Sequence, residues 1–76
     1  MLSLENKQQI QVKFGLALRK ALKLKKLGLR QFALEADMEY SHVQRIAAGK
    51  VNLELTTIIT IAKGLKMTPA ELFSLY

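Results

Sequence analysis

A chain of 76 residues without cysteine is long enough for one small domain, over residues 1–76, whose core must hold without disulfides or thiolate metal sites. It contains neither an apolar run near the roughly 18 residues of a membrane-spanning helix nor the pattern of a secretory signal, so we expect a cytoplasmic protein. The formal net charge of +6 favours a polyanionic partner, either nucleic acid or an acidic membrane surface, and does not choose between them.

The first predicted helix is long and amphipathic, with an N-cap at Ser3, Glu5 in its first turn and an end near Lys26. Its apolar side chains recur at spacings of three and four, which predicts one buried face: Ile10, Phe14, Ala17, Leu18, Ala21 and Leu22. Seven of the 12 basic residues precede Leu27: Lys7, Lys13, Arg19, Lys20, Lys23, Lys25 and Lys26. The positive charge is therefore concentrated on this helix, where it suits phosphate contact or simple solubility.

Two short helices joined by a tight turn are predicted next. The first covers about residues 29–36, and its small Ala33 would let the second helix cross it closely. Asp37 suits the corner between them, because aspartate tolerates a left-handed backbone better than most residues. Gly28 and Glu39 lie where the two N-caps fall, although neither is a strong capping residue.

The second helix of this pair, over residues 40–47, has two contrasting faces. Val43 and Ile46 would be buried, and Gly49 would end the helix in a left-handed conformation. The opposite face carries four polar side chains: Tyr40, Ser41, Gln44 and Arg45. Alone, such a face is more typical of a solvated surface. On a helix that is tightly paired with another, such a polar face favours contact with base edges in a groove of a nucleic-acid duplex. Gln and Arg suit this contact because they form paired hydrogen bonds with adenine and guanine.

A fourth helix is predicted to end at Gly64, and a fifth to follow Thr68. The buried side of the fourth helix would comprise Leu55, Ile58, Ile59, Ala62 and Leu65. Thr68, Pro69 and Glu71 predict a capping box with proline at the first helical position, which is the clearest local signal in the chain. The C-terminal apolar residues should close the core or form a dimer edge: Leu72, Phe73, Leu75 and Tyr76.

No catalytic, metal or cofactor site is predicted. His42 is the only histidine and has no clustered carboxylates beside it, so the sequence supports neither zinc binding nor histidine-based catalysis. Glu35, Asp37 and Glu39 lie too close together in a turn to form a catalytic carboxylate pair. The glycines are too widely separated for a phosphate-binding loop. We therefore expect a protein that is not an enzyme and that needs no cofactor.

The segments LGLRQFALEADMEYSHVQRIAAGKVN and IAKGLKMTPAELF resemble the XRE family of Cro and phage repressors, from about Gly15 to Phe73. The most specific strings are Gln-Phe-Ala and Arg-Ile-x-x-Gly-Lys-x-Asn. The resemblance implies an all-α fold of five helices, with the second and third forming the helix-turn-helix and about residues 1–14 extending the first helix. It also implies a homodimer that binds a double-stranded DNA operator and regulates transcription.

This resemblance supports specific DNA contacts. Four residues are expected to contact DNA bases: Tyr40, Ser41, Gln44 and Arg45. Four others are expected to contact the DNA backbone: Gln31, His42, Lys50 and Asn52. A Ser-Gln pair usually opens the second helix in this family, and Gly28 and Leu29 stand there instead. An Arg-Glu pair usually joins the first helix to the end of the third, and the matching positions here are Leu22 and Ala47.

Two other functions remain open. The departures at Gly28, Leu29, Ala47 and Ala48 favour an antitoxin-like or other protein-interaction module, with a protein partner and weak or no DNA binding. The basic first helix also fits a membrane-surface binder. We expect double-stranded DNA, rather than a membrane, as the partner.

Overall fold

The computed structural model describes residues 5–76, which form five α-helices and contain no strand. The helices are α1 (Lys7–Lys25), α2 (Leu29–Glu35), α3 (Tyr40–Ala47), α4 (Leu55–Gly64) and α5 (Pro69–Phe73). The predicted all-α architecture is therefore confirmed. None of the helices in the described range is both long and apolar enough to cross a membrane.

Helix α1 begins later than the sequence predicted. Its N-cap is Asn6, whose side chain accepts a hydrogen bond from the Gln9 N–H at 2.8 Å, while the Gln9 side chain accepts one from the Asn6 N–H at 2.9 Å. Glu5 therefore precedes the helix rather than opening it, and its carboxylate lies 3.2 Å from Lys13 Nζ. The predicted cap at Ser3 lies outside the described residues. A reciprocal side-chain cap satisfies two backbone donors at once, which explains the start at Lys7.

All five helices contribute to one buried cluster, in which α1 packs mainly against α3 and α5. The predicted buried face of α1 is confirmed except at its first residue. Ile10 is 45% exposed because it lies in the first turn of α1, at the edge of the core. The prediction for α4 is wrong at Leu55, which is 73% exposed, and it omitted Ile61, which is fully buried. Leu55 is the first residue of α4 and lies outside the buried cluster, whereas Ile61, further along the helix, belongs to it.

The helix pair α2–α3 has the predicted tight turn. Asp37 adopts a left-handed conformation with φ of 56°, and Gly49 ends α3 with φ of 75°. Ala33 and Val43 are both buried at the contact between the two helices. Glu39 precedes α3 as its N-cap without a side-chain hydrogen bond, so α3 depends on packing rather than on capping.

Helices α1 and α3 approach each other unusually closely at Gly15. A Cβ atom at this position would lie 2.6 Å from the Ala47 carbonyl oxygen. One turn further along α1, Arg19 Nε donates a hydrogen bond to the same oxygen at 3.0 Å. The family's Arg-Glu pair is absent at Leu22 and Ala47, and a different residue of α1 contacts the end of α3. Leu22 is buried in the core, and Arg19 caps the C-terminal end of α3 by contacting backbone instead of a glutamate.

The capping box of α5 is confirmed. The Thr68 N–H donates to Glu71 Oε1 at 2.8 Å, and the Glu71 N–H donates to Thr68 Oγ1 at 3.1 Å. Leu72 is fully buried, as predicted, whereas Phe73 is 45% exposed. The Phe73 ring still packs at the surface, with its centroid 5.8 Å from that of Phe14 and 6.1 Å from that of Tyr76. Helix α5 therefore closes the core with one side chain and covers its edge with another.

Stability should depend on pH through this capping box. The hydrogen bonds from the Thr68 N–H and hydroxyl lower the pKa of the Glu71 carboxyl below its ordinary value of 4.5. Because the pKa is lower in the folded state, this stabilisation is present above about pH 4.5 and is lost as the pH falls through the folded-state pKa. We expect Glu71→Gln to be less stable than wild type at pH 7 and equal to it at low pH, as measured by urea unfolding. A difference that stayed constant with pH would contradict this account.

Candidate nucleic-acid interface

The outward face of α3 is polar and open to solvent. Ser41, Gln44 and Arg45 follow Tyr40, the first residue of α3, by one, four and five residues. They share one side of the helix because successive side chains are rotated by about 100°. Ser41, Gln44 and Arg45 are exposed, and together with Ala48 and Lys50 they line one shallow depression. Three of the four side chains predicted to contact bases therefore lie together on the surface of one helix, while Val43 and Ile46 anchor its other side in the core.

Tyr40, the fourth predicted base-contacting residue, lies at the edge of this face. Its side chain is half-buried and packs against the core. The Arg30 guanidinium lies over its ring, with the guanidinium carbon 4.2 Å from the ring centroid. This distance is typical of a cation–π contact. Tyr40 is therefore held between the core and a cation from α2, unlike the freely exposed side chains beside it.

Arg30 lies beside the candidate interface and was not predicted from the sequence. It lies in the first turn of α2 and is exposed, whereas its neighbour Leu29 is half-buried against the core. The two residues of the contact belong to different helices, so helical spacing gave no signal for it. The only available hint was that both residues lie in the first turns of helices joined by a tight turn, whose starts the fold brings together.

The four predicted backbone-contacting residues are more dispersed. Lys50 is exposed beside Arg45 and borders the depression, and its N–H donates to the Arg45 carbonyl at 3.0 Å. Asn52 is exposed two residues later, where it lines an apolar cleft between α1 and the C-terminus. His42 is half-buried on the flank of α3 opposite Tyr40. Gln31 is exposed on α2, and its Nε2 donates to Glu35 Oε1 at 3.3 Å.

The geometry of these residues suits binding to a polar surface rather than catalysis. Donors and acceptors of Ser41, Gln44 and Arg45 point outward from a helix about 10–12 Å across, a size that the major groove of B-DNA admits. Within residues 5–76, no three acidic or histidine side chains are grouped so that they could hold a metal ion. Ser41, Gln44 and Arg45 form a polar, solvent-exposed side of α3, called the ridge below, with the cation Lys50 at one end.

Comparison with known proteins identifies the family. The helix-turn-helix family profile matches residues 17–72, which include the C-terminal part of α1 and all of α2, α3 and α4. The chain belongs to the XRE family of helix-turn-helix proteins. XRE-family proteins are DNA-binding transcriptional regulators, and α2 and α3 form the helix-turn-helix of this chain.

A solved XRE-family structure supports the assignment. The chain is similar to the restriction-modification controller protein C.AhdI from Aeromonas hydrophila, with 32% sequence identity and a TM-score of 0.80. The alignment covers 86% of this chain and 98% of C.AhdI, so the likeness extends over most of this chain. No curated protein matches the sequence.

Proposed function

We propose that this XRE-family chain is a sequence-specific regulator of transcription that inserts α3 into the major groove of double-stranded DNA. The observation that carries the proposal is the solvent-exposed ridge of Ser41, Gln44 and Arg45 on a helix braced from behind by the core. An exposed Arg suits paired hydrogen bonds with guanine, and an exposed Gln suits adenine. The net charge of +6 supplies the attraction to phosphates.

The backbone contacts we propose come from the surroundings of the ridge. Lys50 borders it directly and is the strongest candidate for a phosphate contact, followed by Asn52 in the same loop. Gln31 and His42 would contact phosphates at the flanks, after Gln31 exchanges its bond with Glu35 for one with DNA. Such contacts fix the position of the protein on the duplex without reading its sequence.

We further propose that the regulator acts as a homodimer on an inverted-repeat operator. Two copies of α3 would then enter successive major grooves, roughly 34 Å apart along the duplex. The likeness to the controller protein C.AhdI favours a regulator of this controller type. The dimer edge that we propose is the exposed Phe73 with the half-buried Leu75 and Tyr76 beside it.

A selection from random duplexes, repeated at two salt concentrations, tests the proposal directly. We expect a recovered consensus with two related half-sites and an affinity that falls steeply with salt, because phosphate contacts release counterions. Failure to enrich any sequence, together with co-purification of a stable protein partner, would favour the interaction-module function over this one.

Two substitutions in the proposed interface should have different effects. Arg45→Ala should lose about 1–3 kcal/mol of discrimination at one base position of the half-site, because a paired contact with one base is removed. Lys50→Ala should weaken binding to all DNA sequences similarly and reduce the salt dependence of the affinity, because a phosphate carries no sequence information. Binding assays on the selected site and on single-base variants measure both effects. Full base discrimination by the Arg45 variant would show that this residue does not read a base.

A further inference from the structure

The contact between Arg30 and Tyr40 joins the starts of α2 and α3 at the edge of the proposed DNA-binding face. The guanidinium carbon is 4.2 Å from the centre of the Tyr40 ring. Tyr40 is fixed on its inner side by the core, and Arg30 is exposed. The contact therefore places a cation at the surface, immediately beside the ridge formed by Ser41, Gln44 and Arg45.

The charge of Arg30 has no acidic partner in the described part of the chain. Across residues 5–76 the guanidinium forms no ion pair, and the ion pair that is present joins Glu5 to Lys13. A guanidinium that lies over a ring uses its flat face for that contact and keeps its N–H donors at its edge. Those donors have the planar geometry that suits two oxygens of one phosphate.

The residues next to Arg30 at the start of α2 are less suited to contact a phosphate. Gly28, the N-cap, has no side chain to contribute, and the half-buried Leu29 packs against the core. Gln31 is exposed but carries no charge. In the first turn of α2, Arg30 is therefore the exposed cation that faces the start of α3.

We propose that Arg30 contacts a DNA phosphate and, through its stacking on Tyr40, is a positioning residue for that ring at the edge of the groove. The proposal rests on the function proposed above and extends it to a residue of α2. Binding of a phosphate would hold the guanidinium in place, and the guanidinium would hold the ring. Arg30 and Tyr40 would thus act as one unit that links backbone contact to base contact.

Salt-dependent binding to the duplex selected by the wild type tests the phosphate contact. Arg30→Ala should reduce the slope of log affinity against log salt by about 0.9, the value for one phosphate on B-DNA. Arg30→Lys should restore the slope, because it keeps the charge. The control is Lys63→Ala, which removes an exposed cation from α4 and should leave the slope unchanged. An unchanged slope for Arg30→Ala, in a variant whose helicity and thermal unfolding match the wild type, would overturn the contact.

A double-mutant cycle tests the positioning role. Arg30→Ala and Tyr40→Ala should be non-additive in their effects on base preference, because each removes the same stacked unit. Arg30→Lys should keep the salt slope yet lose part of this coupling, since an ammonium lacks the planar face. Additive effects would overturn the positioning role and leave the phosphate contact standing. If the wild type selects no duplex, the proposed function fails and this inference fails with it; if only the Arg30 variants behave like wild type, the inference alone fails.

Discussion

Phe32→Ala should lower the free energy of unfolding by about 3–5 kcal/mol, the typical loss when a buried aromatic ring is removed. Phe32 is 0% exposed, and its ring reaches α4, where a Cβ added at Gly64 would lie 3.0 Å from Phe32 Cε1. The substitution would leave a cavity between α2 and α4 that fixed backbone on both sides cannot fill. Because small domains have only about 5–15 kcal/mol of stability in total, we expect the variant to unfold in mild urea.

Leu34→Ala is the matched control for this substitution. Leu34 is two residues away on the same helix and is also large and apolar, but it is 74% exposed. Its replacement should change the free energy of unfolding by less than about 0.5 kcal/mol. Equal losses for the two variants would show that α2 is held to the domain by something other than the buried ring.

Gly49→Ala should lower the free energy of unfolding by about 2–5 kcal/mol and should weaken DNA binding as well. Two independent effects add up at this position. The φ of 75° requires a left-handed backbone, which costs an alanine about 1–2 kcal/mol. The new Cβ would also lie 2.7 Å from Val12 Cα, and relieving such a contact typically costs about 1–3 kcal/mol. The neighbouring atom belongs to the backbone of α1, so only a shift of a whole helix relieves the clash.

The effect on DNA binding follows from the position of Gly49 between α3 and Lys50. Movement of this segment away from Val12 would displace Lys50 relative to Arg45. Thermal unfolding gives the stability loss, and binding of the selected duplex at a temperature where the variant is folded gives the loss of affinity. Gly28→Ala makes the same chemical change where nothing lies within 4 Å of the new Cβ and φ is negative. If the two alanine variants unfolded at the same temperature, neither effect would operate at Gly49.

Features that depend on neighbours within one or two turns were predicted well. The span of α3 over residues 40–47, the left-handed Asp37 and Gly49, and the capping box at Thr68 all appear in the structure as predicted. Each is decided by local backbone chemistry, such as the conformations that a residue type tolerates and the hydrogen bonds that it offers three residues away. The start of α1 is the exception, because a stronger capping signal, Asn6 with Gln9, follows the predicted cap at Ser3.

Contacts between helices could not be predicted from the sequence in this way. The sequence by itself determined five helices, a polar ridge on α3 and a basic chain, because periodicity and charge are properties of residue order. Only the tertiary structure decided that Arg19 caps α3, that Arg30 lies over Tyr40 and that Ile61 rather than Leu55 is buried. These depend on the angles and distances at which separate helices cross, which are set by the packing of the whole core rather than by any one segment.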